Sequence, residues 1–237
     1  MTAARFISFE GIDGCGKSTQ ARMLAERLRA EGREVVLTRE PGGAPGAEEI
    51  RALVLTGDPG RWSAETETAL FTAARRDHLE KTIRPALKRG ATIISDRFAD
   101  STRVYQGAAR GDLRDLVDEL HSALIRLEPD VTLILDLAPE EGLARSYEKA
   151  AKYFRSAGAI RRIAAKTGDP HVHDRVALRE EASGSETRFE SMGPSFQQRL
   201  RNGFRALAVE FPRRCRLIDA AGTPDEVAVR IDAALGI

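Results

Sequence analysis

The chain is predicted to be an α/β protein built on a mostly parallel sheet, and three observations point to that class. Short β-branched runs alternate with longer stretches of helical periodicity, the sequence mark of repeated βαβ units. The strand candidates are continuous apolar runs rather than alternating ones, as burial on both faces requires. A glycine-rich loop, Gly11-Ile12-Asp13-Gly14-Cys15-Gly16-Lys17-Ser18, joins the first apolar run to the first helical one. At 237 residues the chain can bury one α/β core without a second domain, so a single domain over 1–237 is expected.

Taken in order, Phe6 to Phe9 is the first strand, and the loop feeds a helix over Ser18 to Glu31 that Gly32 stops. A second strand is expected at Val35 to Thr38, then a helix at Ala47 to Leu55. In Ala64 to Arg89, Leu70, Phe71, Ala74, His78, Leu79 and Ile83 recur at helical spacing, Pro85 predicts a kink or break, and Gly90 a stop. Strands follow at Thr92 to Ser95 and Val131 to Leu135, separated by a helix at Leu113 to Leu127. From about Tyr147 to Thr187 there is no strand signal, and Gly158, Gly168, Pro170 and Gly184 punctuate the stretch. A helix at Pro194 to Glu210, a strand at Arg216 to Ile218 and a helix at Pro224 to Leu235 complete the alternation.

Composition narrows the function. Hydrophobic residues at 42% and charged residues at 31% describe an ordinary soluble globular protein, and a net charge of +1 argues against a nucleic-acid partner. Only two cysteines occur, Cys15 and Cys215, and neither lies in a C-x-x-C pair, which fits a reducing, cytoplasmic compartment. No long apolar stretch precedes the first strand, so neither a signal peptide nor a membrane partner is expected.

The loop spacing G-x-x-x-x-G-K-S, between strand and helix, turns successive backbone N–H groups inward on an anionic phosphate. Gly11, Gly14, Cys15, Gly16, Lys17, Ser18 and Thr19 are therefore the candidate nucleotide-binding residues, with Lys17 on the outer phosphates and Ser18 offering its hydroxyl to Mg²⁺. Cys15 is read either as a thiol activated by its neighbours or as a small residue filling a tight loop. No Asn-Lys-x-Asp or Ser-Gly-Gly-Gln string occurs, which sets aside switch GTPases and transport ATPases and leaves small-molecule kinases in front. Asp96, with Arg97 beside it, and Asp136 stand at strand C-terminal ends, where ligands gather in open α/β sheets. Either carboxylate has the alternative of capping a helix or pairing with an arginine.

Phe9-Glu10-Gly11-Ile12-Asp13-Gly14, Thr38-Arg39-Glu40-Pro41-Gly42-Gly43, Ile83-Arg84-Pro85-Ala86-Leu87, Asp96-Arg97-Phe98 with Ser101, and Tyr105-Gln106-Gly107 together resemble the bacterial thymidylate kinase family. The similarity covers roughly residues 5 to 145 and resumes at Arg188-Phe189-Glu190 and Leu217-Ile218-Asp219-Ala220. It implies a three-layer phosphate-loop nucleoside monophosphate kinase fold, with a five-stranded parallel sheet flanked by helices. It also implies phosphorylation of dTMP to dTDP by ATP with Mg²⁺, in dTTP synthesis, by a homodimer. Another small-molecule kinase on the same scaffold, or a catalytically lapsed nucleotide-binding regulator, are the competing readings.

By that resemblance Asp13 contacts the acceptor's 3′-hydroxyl, an Asx turn being its structural alternative, and Arg97 holds the acceptor phosphate, with ion pairing as the alternative. Phe71 stacks on thymine, Arg75 donates to a thymine carbonyl, and Tyr105, accompanied by Gln106, crowds the 2′ position. Glu40 and Pro41 close one side of the acceptor pocket, and Ser101 and Thr102 lie toward the base edge. Asp96 joins Ser18 as a candidate for Mg²⁺ or its water, with a bond to Arg39 as its rival role. The variable loop positions Ile12, Asp13, Gly14 and Cys15 hold no basic residue, so the charge-neutralising arginine is expected on a lid at about 145–187. Candidates are Arg145, Arg155, Arg161, Arg162, Arg175 and Arg188, of which Arg188 lies in a family motif. This lid is some thirty residues longer than usual in the family, a departure read as an enlarged cover over ATP, a recruiting surface, or a solvated elaboration. Its helical spacing at Tyr147, Ala151, Phe154, Ala157 and Ile160 suggests an amphipathic helix with a basic face. His171 and His173 are read as exposed loop residues rather than a zinc site.

Overall fold

The computed structural model describes residues 5–57, 60–109, 111–148 and 192–237. Five strands, β1 (Phe6–Glu10), β2 (Val35–Arg39), β3 (Thr92–Asp96), β4 (Val131–Asp136) and β5 (Cys215–Asp219), form one sheet in the order β2-β3-β1-β4-β5, every adjacent pair parallel. The helices are α1 (Lys17–Ala30), α2 (Pro45–Leu55), α3 (Ala64–His78), α4 (Arg84–Lys88), α5 (Ala99–Val104), α6 (Arg114–Leu120), α7 (Pro194–Glu210) and α8 (Pro224–Leu235). Residues 139–148 are also helical. With β1 central and its successors on opposite sides, the C-terminal ends of β1 and β3 face the point where the winding direction reverses, the usual ligand crevice of such sheets.

Successive strand side chains point to opposite faces, so neighbours go to different cores. Phe6 and Ile93 join Leu79, Ile83, Phe98 and Ile125, whereas Ile7 and Ile94 join Leu24 and Leu28 of α1. Phe6 meets Phe98 edge to face at 4.9 Å. Each such fully buried side chain contributes about 1.5–3 kcal/mol. Burial on both faces holds for β1, β3 and β4. The outer strands β2 and β5 are less buried, with Leu37 and Leu217 exposed, because an edge strand has a neighbouring strand on one side only.

The interruption expected near Pro85 takes the form of a change of helix type. A π-helical turn at Leu79–Ile83 carries α3 into α4, and the proline falls in the first turn of α4, where its missing N–H is tolerated. The helix expected at Leu113 to Leu127 is α6 continued by another π turn, His121–Ile125. Helix α5 and the helical residues 139–148 were not expected. The first is held by a buried polar cluster: Asp100 accepts from Arg103 Nη1 and Arg214 Nη2, both at 2.9 Å, and from Thr132 Oγ1 at 3.2 Å. This fixes α5 against the sheet and, with it, the Arg97 turn at its start.

Candidate active site

The loop after β1 is shaped by close approach as much as by conformational freedom. A Cβ on Gly14, which has φ +75°, would lie 1.9 Å from the Gly142 carbonyl oxygen, and one on Gly142 would lie 2.6 Å from the Asp13 oxygen. Residues 139–148 therefore press against the loop through a glycine on each side. Gly16 caps α1 in the left-handed region with no side-chain cap, so the helix presents its first N–H groups to the cleft. Lys17 Nζ folds over its own loop, donating to Gly11 O at 3.1 Å and Ile12 O at 2.7 Å. The Cys15 side chain is buried, and burial pushes its thiol above the ordinary range, against the pull of Lys17 and Arg97. It fills the loop rather than offering a thiolate, so only its backbone is left to meet a phosphate.

The end of β3 supplies the next group. Ser18 Oγ donates to Asp96 Oδ2, while Arg39, the rival partner considered for Asp96, pairs instead with Glu48 at 3.2 Å. Arg97 adopts φ +71° and swings back across the loop. Its Nη1 donates to Gly11 O at 3.2 Å and Ser101 Oγ at 3.1 Å; its Nη2 donates to Asp13 Oδ1 and, at 3.2 Å, to the Tyr105 hydroxyl. Tyr105 in turn donates to Asp13 Oδ2 at 3.2 Å. Burial works to raise the Asp13 pKa, but Arg97, Lys17 and the Tyr105 hydrogen bond outweigh it and hold the carboxyl below its ordinary value.

Glu10, the last residue of β1, lies beneath this cluster and is completely buried. Its Oε1 accepts from the backbone N–H of Phe98 at 2.7 Å and of Ser101 at 3.3 Å, and its Oε2 accepts from Ser101 Oγ at 2.6 Å. Burial first, then the nearby charge of Asp100, pushes its pKa up to about 7 against the opposing Arg97 and these hydrogen bonds.

On the other wall, Arg75 Nε donates to Glu40 Oε2 at 2.7 Å, and its Nη2 donates to Thr102 Oγ1 at 2.9 Å. Ser101 and Thr102, adjacent in sequence, thus fall to different ends, the first with Arg97 and the second with Arg75. Gln106 is buried and donates to Glu67 at 3.3 Å. Pro41 follows a cis peptide bond, and its carbonyl accepts from Arg51 Nη1 at 2.6 Å.

One cleft of about 1200 Å³ joins these walls. Its lining includes Asp13 through Thr19, Glu40, Pro41, Phe71, Arg75, Asp96, Arg97, Ser101, Thr102, Tyr105 and Gln106. Gly11 lies behind the loop, its carbonyl occupied by Lys17 and Arg97. Asp136 stands apart: Arg201 of α7 clasps both its oxygens at 2.7 and 3.0 Å, the arginine-paired alternative. Arg145 reaches the loop after β5, donating to Ala220 O and Gly222 O, both at 3.3 Å. The other lid candidates, Arg155, Arg161, Arg162, Arg175 and Arg188, lie outside the described residues, as do His171 and His173 and the proposed amphipathic helix beyond residue 148.

Sequence reasoning missed Glu10, His78 and Gly142 as parts of this site. Glu10 lay just past the expected first strand, named only as part of a family motif, and His78 sat at a core-like helical position. Gly142 lay in a stretch for which no helix was expected, so nothing singled it out.

Mg²⁺ commonly takes one or two protein ligands and fills its remaining positions with waters and phosphate oxygens. Ser18 and Asp96, hydrogen-bonded to each other at the loop's mouth, fit that limited demand. Among the described residues no cluster of three or more His, Cys, Asp or Glu side chains is placed to hold a metal alone.

Comparison with known proteins gives a consistent result. The family model described as Thymidylate kinase matches residues 9–166. The thymidylate kinase of Ruegeria pomeroyi is 55% identical over 226 residues, covering 95% of this chain and 92% of the relative. That of Caulobacter vibrioides is 45% identical over 232 residues, covering 98% and 95%. The crystal structure of thymidylate kinase from Ehrlichia chaffeensis aligns with TM-score 0.69 at 30% identity, covering 99% of each chain.

Proposed function

The chain belongs to the thymidylate kinase family, and from that premise we propose how its residues divide the work of phosphorylating dTMP to dTDP with ATP. The observation that carries the assignment of roles is the single cleft in which the phosphate loop faces Arg97, Asp13, Arg75 and Phe71. The attacking atom is a phosphate oxygen of dTMP, already anionic, so no general base is needed. It bonds to the γ-phosphorus of ATP as the bond to the β,γ-bridging oxygen breaks and ADP leaves. The protein's task is alignment and charge neutralisation.

Lys17 exchanges its loop carbonyls for the outer phosphates, and the loop N–H groups with the α1 N-terminus hold the rest. Arg97 takes the acceptor phosphate with its fork, next to Asp13, which accepts from the 3′-hydroxyl. Phe71 stacks on the base, Arg75 donates to its carbonyl, and Tyr105 narrows the space at the 2′ position. Ser18 and Asp96 would hold Mg²⁺, directly or through water, where its charge offsets that of the phosphates.

The lid at about 145–187, within a single kinase domain spanning 1–237, supplies the remaining positive charge, with Arg188 the preferred residue because it falls in a family motif. A homodimer is carried over from the resemblance and a cytoplasmic location from the cysteine usage; sedimentation at micromolar concentration tests the first. Among the described residues no helix is long and apolar enough to cross a membrane.

A coupled assay with ATP across dTMP, dUMP, AMP, CMP and shikimate tests substrate choice. Fastest turnover is expected with dTMP, and a better acceptor among the others overturns the assignment.

A further inference from the structure

Arg75 enters the cleft as one end of a buried hydrogen-bond chain that starts on β2. Its Nε is bonded to Glu40, and its Nη2 to the Phe98 carbonyl at 3.1 Å and to Thr102. Nη1 is left as the arm with no hydrogen bond to the described residues. The second Glu40 oxygen, Oε1, faces His78 Nδ1 at 2.9 Å, and His78 Nε2 faces Thr38 Oγ1 at 2.7 Å. His78 is completely buried and stands one helical turn after Arg75. A neutral ring with its hydrogen on Nδ1 satisfies both partners, donating to Glu40 and accepting from the Thr38 hydroxyl. The loop after Glu40 packs against the same ring: a Cβ on Gly43 would lie 2.5 Å from His78 Nε2.

Granted Arg75 as the base-reading donor proposed above, we infer that His78 is a positioning residue for pyrimidine recognition. Through Glu40 it fixes the Arg75 guanidinium with Nη1 toward the acceptor base. A carboxylate held at one oxygen by Arg75 and at the other by His78 cannot rotate. The guanidinium has therefore lost its rotamer freedom on folding rather than on binding. A plain buried ion pair would stabilise the fold without favouring one substrate. The two roles separate in kinetics.

The test compares KM and kcat for dTMP and for ATP in wild type, His78→Leu, His78→Asn, Arg75→Ala and the double variant His78→Leu/Arg75→Ala, with thermal melts confirming a folded protein. His78→Leu is expected to raise KM for dTMP ~10-fold, the scale of one lost hydrogen bond to a charged group, with KM for ATP unchanged. His78→Asn, whose side-chain amide can stand in for the Nδ1 donor, should recover most of that loss. In the Arg75→Ala background the His78 substitution should add nothing. An additive double variant, or equal rises in KM for dTMP and ATP, overturns the inference while leaving Arg75 its role. A normal KM for dTMP in Arg75→Ala overturns both. Should His78→Leu fail to fold, Thr38→Val removes only the distal hydroxyl and must raise KM for dTMP selectively, about 3-fold; no rise refutes the relay.

Discussion

Arg97 and Asp13, the two residues proposed to engage the acceptor, are bonded to each other across the mouth of the phosphate loop, with the Tyr105 hydroxyl joining both. The pair keeps each group ready in its charged form: the guanidinium holds the Asp13 carboxyl below its ordinary pKa, so Asp13 stays ionised throughout the neutral range. In that proposed role a phosphate meets a donor already aimed, the guanidinium being bonded to Gly11 O and Ser101 Oγ and the left-handed backbone held at its N–H by Phe9 O and at its carbonyl by Ser95 Oγ.

Arg97→Lys keeps the charge and loses the fork. The expected result is a ~10²-fold fall in kcat/KM for dTMP, about 3 kcal/mol, with KM for ATP unchanged. Steady-state kinetics with each substrate varied checks it. A lysine variant within threefold of wild type would show that charge alone suffices there.

Lys17→Ala is expected to lower kcat by about 10²-fold or more, because the lost charge matters most as negative charge shifts along the transferring group. Its loop bonds to Gly11 and Ile12 also disappear, so the variant's melting temperature must be recorded beside its rate. Single-turnover measurements at saturating ATP separate the chemical step from binding. Turnover near wild type there contradicts the assigned role.

Tyr105 is built into the core as well as the cleft, its ring edge-on to Phe196 at 6.1 Å and Phe204 at 6.4 Å. Tyr105→Ala should cost about 3–5 kcal/mol of stability, as deletion of a buried aromatic does. The informative quantity is a ratio: kcat/KM for dTMP relative to its ribonucleotide counterpart should fall ~10-fold or more as space opens at the 2′ position. Unchanged discrimination in a folded variant removes Tyr105 from the selectivity account. Tyr105→Phe, which keeps the ring and drops the hydroxyl, is expected to retain selectivity but lose rate through Asp13 and Arg97.

The parts of this site that were legible in the sequence are those whose chemistry is local. A phosphate loop needs its glycines, lysine and serine in a fixed string, and the Asp96-Arg97 pair announces itself at the end of an apolar run. The parts that were not legible depend on distant segments meeting. Helix α5 hides because Asp100, Thr102 and Arg103 are polar yet buried, which breaks the amphipathic pattern by which short helices are found. His78 reads as core by its spacing and is core by its burial. Only the fold shows that Glu40 lies against it. The Gly14–Gly142 contact is likewise invisible until residues 139–148 are seen to cross the loop.

Glu10 gives the clearest pH prediction. Its pKa is about 7 in the folded protein against an ordinary 4.5. Between those values the folded state holds a proton that the unfolded chain has released. This contribution is therefore fully present below pH 4.5, falls as pH rises toward 7 and levels off above it, about 3 kcal/mol in all. Asp100 and Glu128, whose pKa values are lowered, act with the opposite sign and in more acid solution. Glu10→Gln is neutral at every pH and can still accept from Phe98 and Ser101 through its amide oxygen. Urea unfolding of both proteins at pH 5 and pH 8 should show the variant gaining about 2–3 kcal/mol relative to wild type between the two conditions, whatever its offset at pH 5. Parallel pH dependences would mean that Glu10 is ionised in the fold even at pH 5, its negative charge then held beneath Arg97 by the same three hydrogen bonds.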